Sequence, residues 1–339
     1  MSITVIICTY NRSQKLAKAL ESIAASVVPN DVEWNVLVVD NNSSDQTREV
    51  VEDFSKRFKD RFRYHFEPRP GKSYALNSGI GESSGDVLAF TDDDVIVESN
   101  WLWNLTASLL SCEWAGTAGR ITPLWEQPIP RWLRLDGDLL RGPFVVFDLG
   151  PTPCPLLEAP VGANMAYRKE IFAKYGGFLS DLGPQPGSEI RGEDSEFGYR
   201  LLKSGEQLRY EPSAVVYHPV PSERINRKFL LAWFFSHGYE QILMLGNPSE
   251  AKWYFGGIPV VLFRRFGRWS AQWLVTFRPA RRFQCKLNLW NMAGEIRASY
   301  ELSRRLPISD SALPISRITR STKTKTGRAA RADENPSSF

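Results

Sequence analysis

The strongest constraint on this chain is a series of short, β-branched apolar runs alternating with stretches of helical periodicity, each run ending in a polar cluster. Residues 3–8 read as a buried parallel strand, since nearly every position is apolar rather than every second one. Residues 13–27 follow with Leu16, Leu20, Ile23 and Val27 at helical spacing. Residues 34–39 repeat the strand signal, and Ser44 stands as an N-cap before a helix through Val50, Val51 and Phe54. Residues 62–66, 73–80 and 86–91 continue as strand, helix and strand. This βαβα order predicts an α/β fold with a doubly wound, mostly parallel sheet flanked by helices, and such sheets bind ligands outside the carboxyl ends of their strands.

The strand ends therefore carry the chemistry. The first ends in Thr9-Tyr10-Asn11-Arg12, the second in Asp40-Asn41-Asn42-Ser43-Ser44-Asp45, and the fourth in Asp92-Asp93-Asp94. Three consecutive carboxylates repel one another unless a cation or hydrogen-bond donors compensate them. One reading is a divalent-metal site in which an Asp holds Mg2+ or Mn2+ and substrate phosphates complete the shell; the other is a solvated acidic turn capping the next helix. Glu193-Asp194 forms a second acidic pair after Gly192. Acidic residues suit the first turn of any helix, but a carboxylate facing the strand ends also suits a general base for an incoming hydroxyl. His218 closes an apolar run, as a structural residue or as an imidazole ligand. Gly71-Lys72-Ser73 is not a P-loop, because Phe66 stands where that motif needs glycine.

Charge is divided along the chain. The net +4 conceals −8 over residues 1–220 and +12 over residues 221–339. An acidic catalytic half and a basic half facing a polyanion or anionic lipid fit this split, as does a solvated basic tail. Residues 123–155, rich in Pro, Trp and Gly, read as a loop excursion. The expected organisation is a catalytic domain over 1–220, a helical basic and aromatic region over 221–306, and a disordered Ser/Thr/Arg-rich tail over 307–339. Within the middle region Leu262, Phe266, Trp269, Trp273 and Phe277 recur at helical spacing, with Arg264, Arg268 and Gln272 on another face. Residues 258–286 are thus expected to meet an anionic membrane surface, the alternatives being packing on the catalytic domain or in a homodimer. No nucleic-acid module accompanies the charge, so nucleic acid is not an expected partner. Four scattered cysteines without a CxxC pair argue against a zinc ribbon or redox pair and favour a reducing compartment. No signal peptide and no apolar run long enough for a membrane span are visible, so the expected location is cytoplasmic, peripheral at the inner face of the cell membrane.

Taken in order, residues 5–12, 38–45, Gly71-Lys72 with Ala75-Leu76-Asn77, 85–94 and Gly192-Glu193-Asp194 closely resemble glycosyltransferase family 2, inverting sugar transferases of the GT-A fold. The resemblance covers about residues 3–220. It implies a nucleotide-sugar donor, a hydroxyl acceptor and a Mg2+ or Mn2+ cofactor; a lipid-linked glycan as acceptor would account for the expected membrane surface. By the same resemblance Thr9, Tyr10, Arg12, Lys72 and Asp93 line the nucleotide site, Asp40 accepts from the base and Asp92 faces the ribose. Asp94 ligates the metal with His218, Asp194 is the catalytic base, and Glu193 serves the acceptor side. Processive members carry Gln-x-x-Arg-Trp with membrane spans. Here Arg265-Phe266-Gly267-Arg268-Trp269 has Arg in place of Gln and no spans around it, which implies a non-processive enzyme. Two rivals are a sugar nucleotidyltransferase, which needs glycines absent from Thr9-Tyr10-Asn11-Arg12, and a catalytically inactive nucleotide- or glycan-binding module, against which Asp94, Asp194 and His218 together argue.

Overall fold

The computed structural model describes residues 2–304 apart from 112, 134, 136–141 and 186–190; the expected tail lies outside the described residues. The chain divides into two compact units, Met1–Leu230 and Leu231–Phe339.

In the first unit β1 (Ser2–Thr9), α1 (Ser13–Ala24), β2 (Glu33–Asp40), α2 (Thr47–Arg57), β3 (Phe62–Phe66), α3 (Lys72–Glu82) and β4 (Val87–Asp92) alternate as the periodicity predicts. The strands lie in the order β3-β2-β1-β4, all parallel, so the chain reverses its direction of travel across the sheet between β1 and β4. That reversal opens the crevice in which open α/β sheets bind ligands. The two central strands are apolar on both faces because helices cover both: Ile3, Val5, Ile6 and Ile7 of β1 are fully buried. Gly79 of α3 packs against Ile6 and Val39, where an added Cβ would crowd Ile6 at 2.7 Å.

Beyond β4 the sheet becomes mixed. β5 (Ile96–Val97) and α4 (Trp101–Thr106) lead to β6 (Gly116–Trp125), β7 (Cys154–Pro155), β8 (Asn164–Arg168), α5 (Lys169–Tyr175), α6 (Glu193–Lys203) and the long β9 (Leu208–Val220). β8 runs antiparallel to β4 and β6, whereas β6 and β9 are parallel with a register shift at Gly119/Arg120. Asn164 secures that irregularity. Its buried amide donates to the carbonyls of Arg120 and Ala214 at 2.9 and 2.8 Å and accepts from Trp101 Nε1 at 2.8 Å. A buried amide is tolerated only when its donors and acceptor are satisfied in this way.

Two local expectations are revised. The second helix begins at Thr47, and Asp45 rather than Ser44 accepts the Thr47 N–H and hydroxyl; the Asp45 carboxylate also reaches Ser13 N, serving the starts of α1 and α2 together. The helix that starts at Trp101 is α-helical only to Thr106 and tightens to 3-10 over Ala107–Ser111. The excursion expected over 123–155 opens inside β6, and Phe147 bridges back to Ile121.

The second unit is helical. α7 (Arg227–Leu245) spans the division, followed by a hairpin of β10 (Tyr254–Phe255) and β11 (Ile258–Pro259), then α8 (Val260–Val275) and α9 (Pro279–Arg304). α7 and α9 cross at glycines: a Cβ on Gly238 would meet the Asn291 backbone, and one on Gly294 the Phe235 backbone. On α8 the expected stripe is split. Leu262 is buried and Trp269 and Trp273 are half-buried, but Phe266 and Phe277 are exposed. Arg265, which stands where processive members carry Gln, pairs with Glu250. No described helix is long and apolar enough to cross a membrane.

Candidate active site

Register brings the polar clusters to one edge. Parallel pairing sets Thr9 opposite Asp40 and Cys8 opposite Asp92, so the carboxyl ends of β1, β2 and β4 finish level. The loops beyond β1 and β2 are tied together: Asn11 N donates to Ser43 Oγ at 2.9 Å, and Ser44 N to Asn11 Oδ1 at 2.7 Å. Asn11 and Asn42 hold left-handed backbone, φ 52° and 72°, a conformation asparagine tolerates better than most residues.

Aspartates 92–94 have separate surroundings. Asp93 turns inward, accepting from Thr9 Oγ1 at 2.8 Å and from Arg12 at 3.0 Å. Burial pushes its pKa up to about 6, with Asp94 and Asp92 adding and Arg12 and Thr9 opposing. Asp94 faces Arg12 at 3.3 Å, Lys15 at 3.6 Å and His218 Nε2 at 3.7 Å. Asp92 meets Lys72 Nζ at 3.1 Å; burial works against its charge, but Lys72, His218 and Arg12 outweigh it and hold its pKa below the usual carboxylate value.

β5 places His218. It returns from the Asp92–Asp94 turn and pairs Ile96 with Tyr217, leaving His218 beside the carboxylates. Ligand atoms of Asp92, Asp94 and His218 lie within 4.8 Å of one another. The Pro219 carbonyl, 3.0 Å from His218 Nδ1, can only accept, so Nδ1 carries a proton. In its neutral form the ring presents its Nε2 lone pair toward an Asp94 oxygen 3.7 Å away, so that a cation could be held between them. Two carboxylates and an imidazole are a donor set that suits Mn2+ and, with fewer direct ligands, Mg2+.

Lys72 joins the two acidic clusters. Gly71, at φ 134°, starts α3 where a side chain would be strained, and Asn41 Oδ1 accepts its N–H at 2.7 Å. Asn41 also donates to the Glu67 and Arg69 carbonyls, fixing the preceding loop. From that start Lys72 Nζ reaches Asp92 and, at 3.4 Å, Glu193 Oε1. Burial disfavours its charge, yet Asp92, Glu193 and Asp194 overcome this and raise its pKa well above the usual lysine range. Glu193 is buried, which raises its pKa; Asp194 adds to the rise and Lys72 opposes it.

Asp194 lies in the first turn of α6 after Gly192, which has left-handed φ 102°. Its Oδ2 accepts from Gly162 N at 2.6 Å and its Oδ1 from Ser195 N at 2.7 Å. These bonds aim the carboxylate and leave it lone pairs for a further donor. Asp40 is buried, with Ser43 N on Oδ1 at 2.9 Å and the Tyr64 hydroxyl on Oδ2 at 2.8 Å. Tyr10 is exposed.

Tyr64, Lys15 and Arg224 escaped the sequence reading. Each sits on a separate element, with no local motif. Arg224 follows β9; burial and the nearby Arg191 and Arg12 lower its pKa, against Asp94 and Asp92. Arg12, 3.3 Å from Asp94, is thus joined by Arg224 in setting positive charge against that carboxylate.

The family model described as "Glycosyl transferase family 2" matches residues 4–176. The chain belongs to glycosyl transferase family 2. Among family 2 relatives, the succinoglycan biosynthesis protein ExoM of Rhizobium meliloti is 30% identical over 251 residues, covering 74% of this chain and 77% of ExoM. A GalNAc(5)-diNAcBac-PP-undecaprenol β-1,3-glucosyltransferase of Campylobacter jejuni is 36% identical over 94 residues, 27% of this chain and 29% of the relative. The mannosyltransferase PcManGT of Pyrobaculum calidifontis, solved with GDP-Man and Mn2+, superposes with TM-score 0.51 at 17% identity, covering 94% of this chain and 78% of that one. This likeness shows the GT-A fold, and the family 2 chain is a glycosyltransferase.

Proposed function

We propose a metal-dependent, inverting, non-processive enzyme that moves a sugar from a nucleotide-sugar donor to a hydroxyl acceptor on a lipid-linked glycan, in polysaccharide or glycolipid assembly. The observation that carries this reading is the convergence of Asp92, Asp94 and His218 within 4.8 Å, joined through Lys72 to Glu193 beside Asp194. Relatives named for succinoglycan biosynthesis and for an undecaprenol-linked glycan support the acceptor class. The membrane-surface expectation supports a peripheral location at the inner face of the cell membrane.

Asp94 and His218, with Asp92 at the same point, would hold Mg2+ or Mn2+, which supplies charge to offset the diphosphate. Tyr10 and Arg12 border the nucleotide, and Asp40, oriented by Tyr64 and Ser43, accepts from the base. Thr9 and Asp93 act through Arg12 by fixing its guanidinium. Lys72 favours the charged form of Asp92 and lies between it and Glu193, whose pKa burial raises. Asp194 takes the proton of the acceptor hydroxyl, whose oxygen attacks the anomeric carbon as the bond to the diphosphate breaks, so configuration inverts. Glu193 orients the acceptor side.

Release of nucleoside diphosphate from a panel of UDP-, GDP- and dTDP-sugars tests this. The wild type should turn over one donor class, and Asp194→Asn should lose about 100-fold or more in rate while still binding the nucleotide, the usual scale for a lost general base. Unchanged turnover by Asp194→Asn removes it from the base role.

A further inference from the structure

The second unit carries an aromatic surface that its described residues leave uncovered. The hairpin of β10 and β11 turns at Gly256 and Gly257, and Trp253 and Phe255 on its first arm are each 74% exposed. Tyr254 between them is exposed as well. A Cβ on Gly256 would meet nothing within 4 Å, so the turn is open on its Gly256 side. The other arm is anchored: Pro259 is buried, and Gly257 lies against Ser303 of α9. One arm therefore fixes the hairpin while the other projects three large aromatic side chains.

The exposed surface continues onto α8. The Phe255 and Phe263 rings meet edge to face, their centroids 6.4 Å apart. Phe266, Leu274, Val275 and Phe277 are exposed farther along, Phe277 by 87%. Isolated apolar side chains on a surface need no explanation, but a joined group of this kind marks an interaction site.

Charge identifies the occupant. Residues 251–290 contain eight basic side chains and no acidic one. Lys252, Arg264, Arg268, Arg278, Arg281 and Arg282 are all exposed. Glu250, the acidic residue before this stretch, is paired with Arg265. Trp, Tyr and Phe beside Lys and Arg suit the boundary between headgroups and acyl chains, where aromatic rings enter the interface and cations meet anionic lipid. A second copy of the same chain would set this uniformly positive surface against itself.

We infer that the Trp253–Phe255 arm is the wedge by which this protein docks on an anionic bilayer surface, with the outer face of α8 lying beside it. The inference deepens the membrane part of the proposed function and does not depend on the transfer chemistry.

Co-flotation of the full chain with phosphatidylcholine/phosphatidylglycerol vesicles, and with phosphatidylcholine vesicles alone, tests it. The wild type should float with the anionic vesicles, less so at high salt, and bind neutral vesicles weakly. Trp253→Ser/Phe255→Ser, which changes no charge, should lower the partition coefficient about tenfold or more. Arg264→Gln/Arg268→Gln should weaken anionic binding and leave neutral binding unchanged. Calorimetric binding of UDP and GDP to the same preparations reads the nucleotide site separately, so a vesicle result does not depend on that site. Undiminished flotation of the aromatic variant overturns the inference. So does a wild type that ignores vesicles but forms a dimer that the aromatic variant abolishes, because the patch is then a self-association surface.

Discussion

The two units handle charge in opposite ways. In the first, carboxylates are drawn into the protein and each is answered by a donor from a different element: Thr9 and Arg12 for Asp93, Lys72 for Glu193, Gly162 N for Asp194. In the second, cations remain in water and aromatic side chains are exposed beside them. Buried charge holds its shape only while its partners are present, whereas exposed charge leaves the fold nearly indifferent to its removal. The first arrangement is suited to precise placement of a small charged substrate, and the second to a broad, laterally fluid surface.

The largest effect expected from breaking this contrast is at Lys72. Lys72→Met strips the cation from Asp92 and Glu193; because Lys72 is about a quarter exposed, the cost should fall below the roughly 3–5 kcal/mol of a fully buried pair. Thermal unfolding of the first unit should shift down accordingly, and nucleotide affinity should fall with it. A variant as stable as the wild type would mean that Lys72 is not what compensates those carboxylates.

Glu295 is the exception that sharpens the comparison, a carboxylate buried in the second unit at 5% exposure. Burial pushes its pKa from 4.5 up to about 7; Glu250 adds to the rise, and Arg265 and Asn291, which donates to it at 2.8 Å, oppose it. Because the folded state keeps the proton longer than the unfolded chain does, stability of this unit should fall as pH rises between those values. The loss is on the order of 3 kcal/mol by pH 8. Glu295→Gln should flatten the dependence of unfolding on pH. An equally steep profile in the variant would assign the slope to other groups.

Much of the first unit was legible because its elements are local. Apolar runs and helical spacing predicted β1 to β4, and a buried parallel sheet makes strand ends converge whatever the loops do. The clusters at residues 9–12, 40–45 and 92–94 were therefore readable as one edge. Tyr64 was not, because its value lies in reaching Asp40 from the neighbouring strand. Nor was the role of Asn164, which needs partners from β6, β9 and α4 before its amide can be buried. Glu193 and Asp194 were visible as a pair, but their different surroundings, one against Lys72 and one against backbone N–H groups, depend on α3 and on the turn before β8. In the second unit periodicity found α8 and misjudged its faces, since Trp269 and Trp273 turn inward with Leu262 while Phe266 does not. The hairpin from Tyr254 to Pro259 is too short to carry a periodic signal.

The central claim is that Asp92, Asp94 and His218 form a cation site serving a nucleoside diphosphate. Calorimetric titration of UDP, GDP and dTDP into the wild type and Asp94→Ala, with and without Mn2+, tests it most directly. One nucleotide should bind the wild type at least about tenfold more tightly with Mn2+, and Asp94→Ala should abolish that gain, as loss of a metal ligand requires. Binding that is equally tight without metal, or that keeps its Mn2+ dependence in Asp94→Ala, would contradict the account.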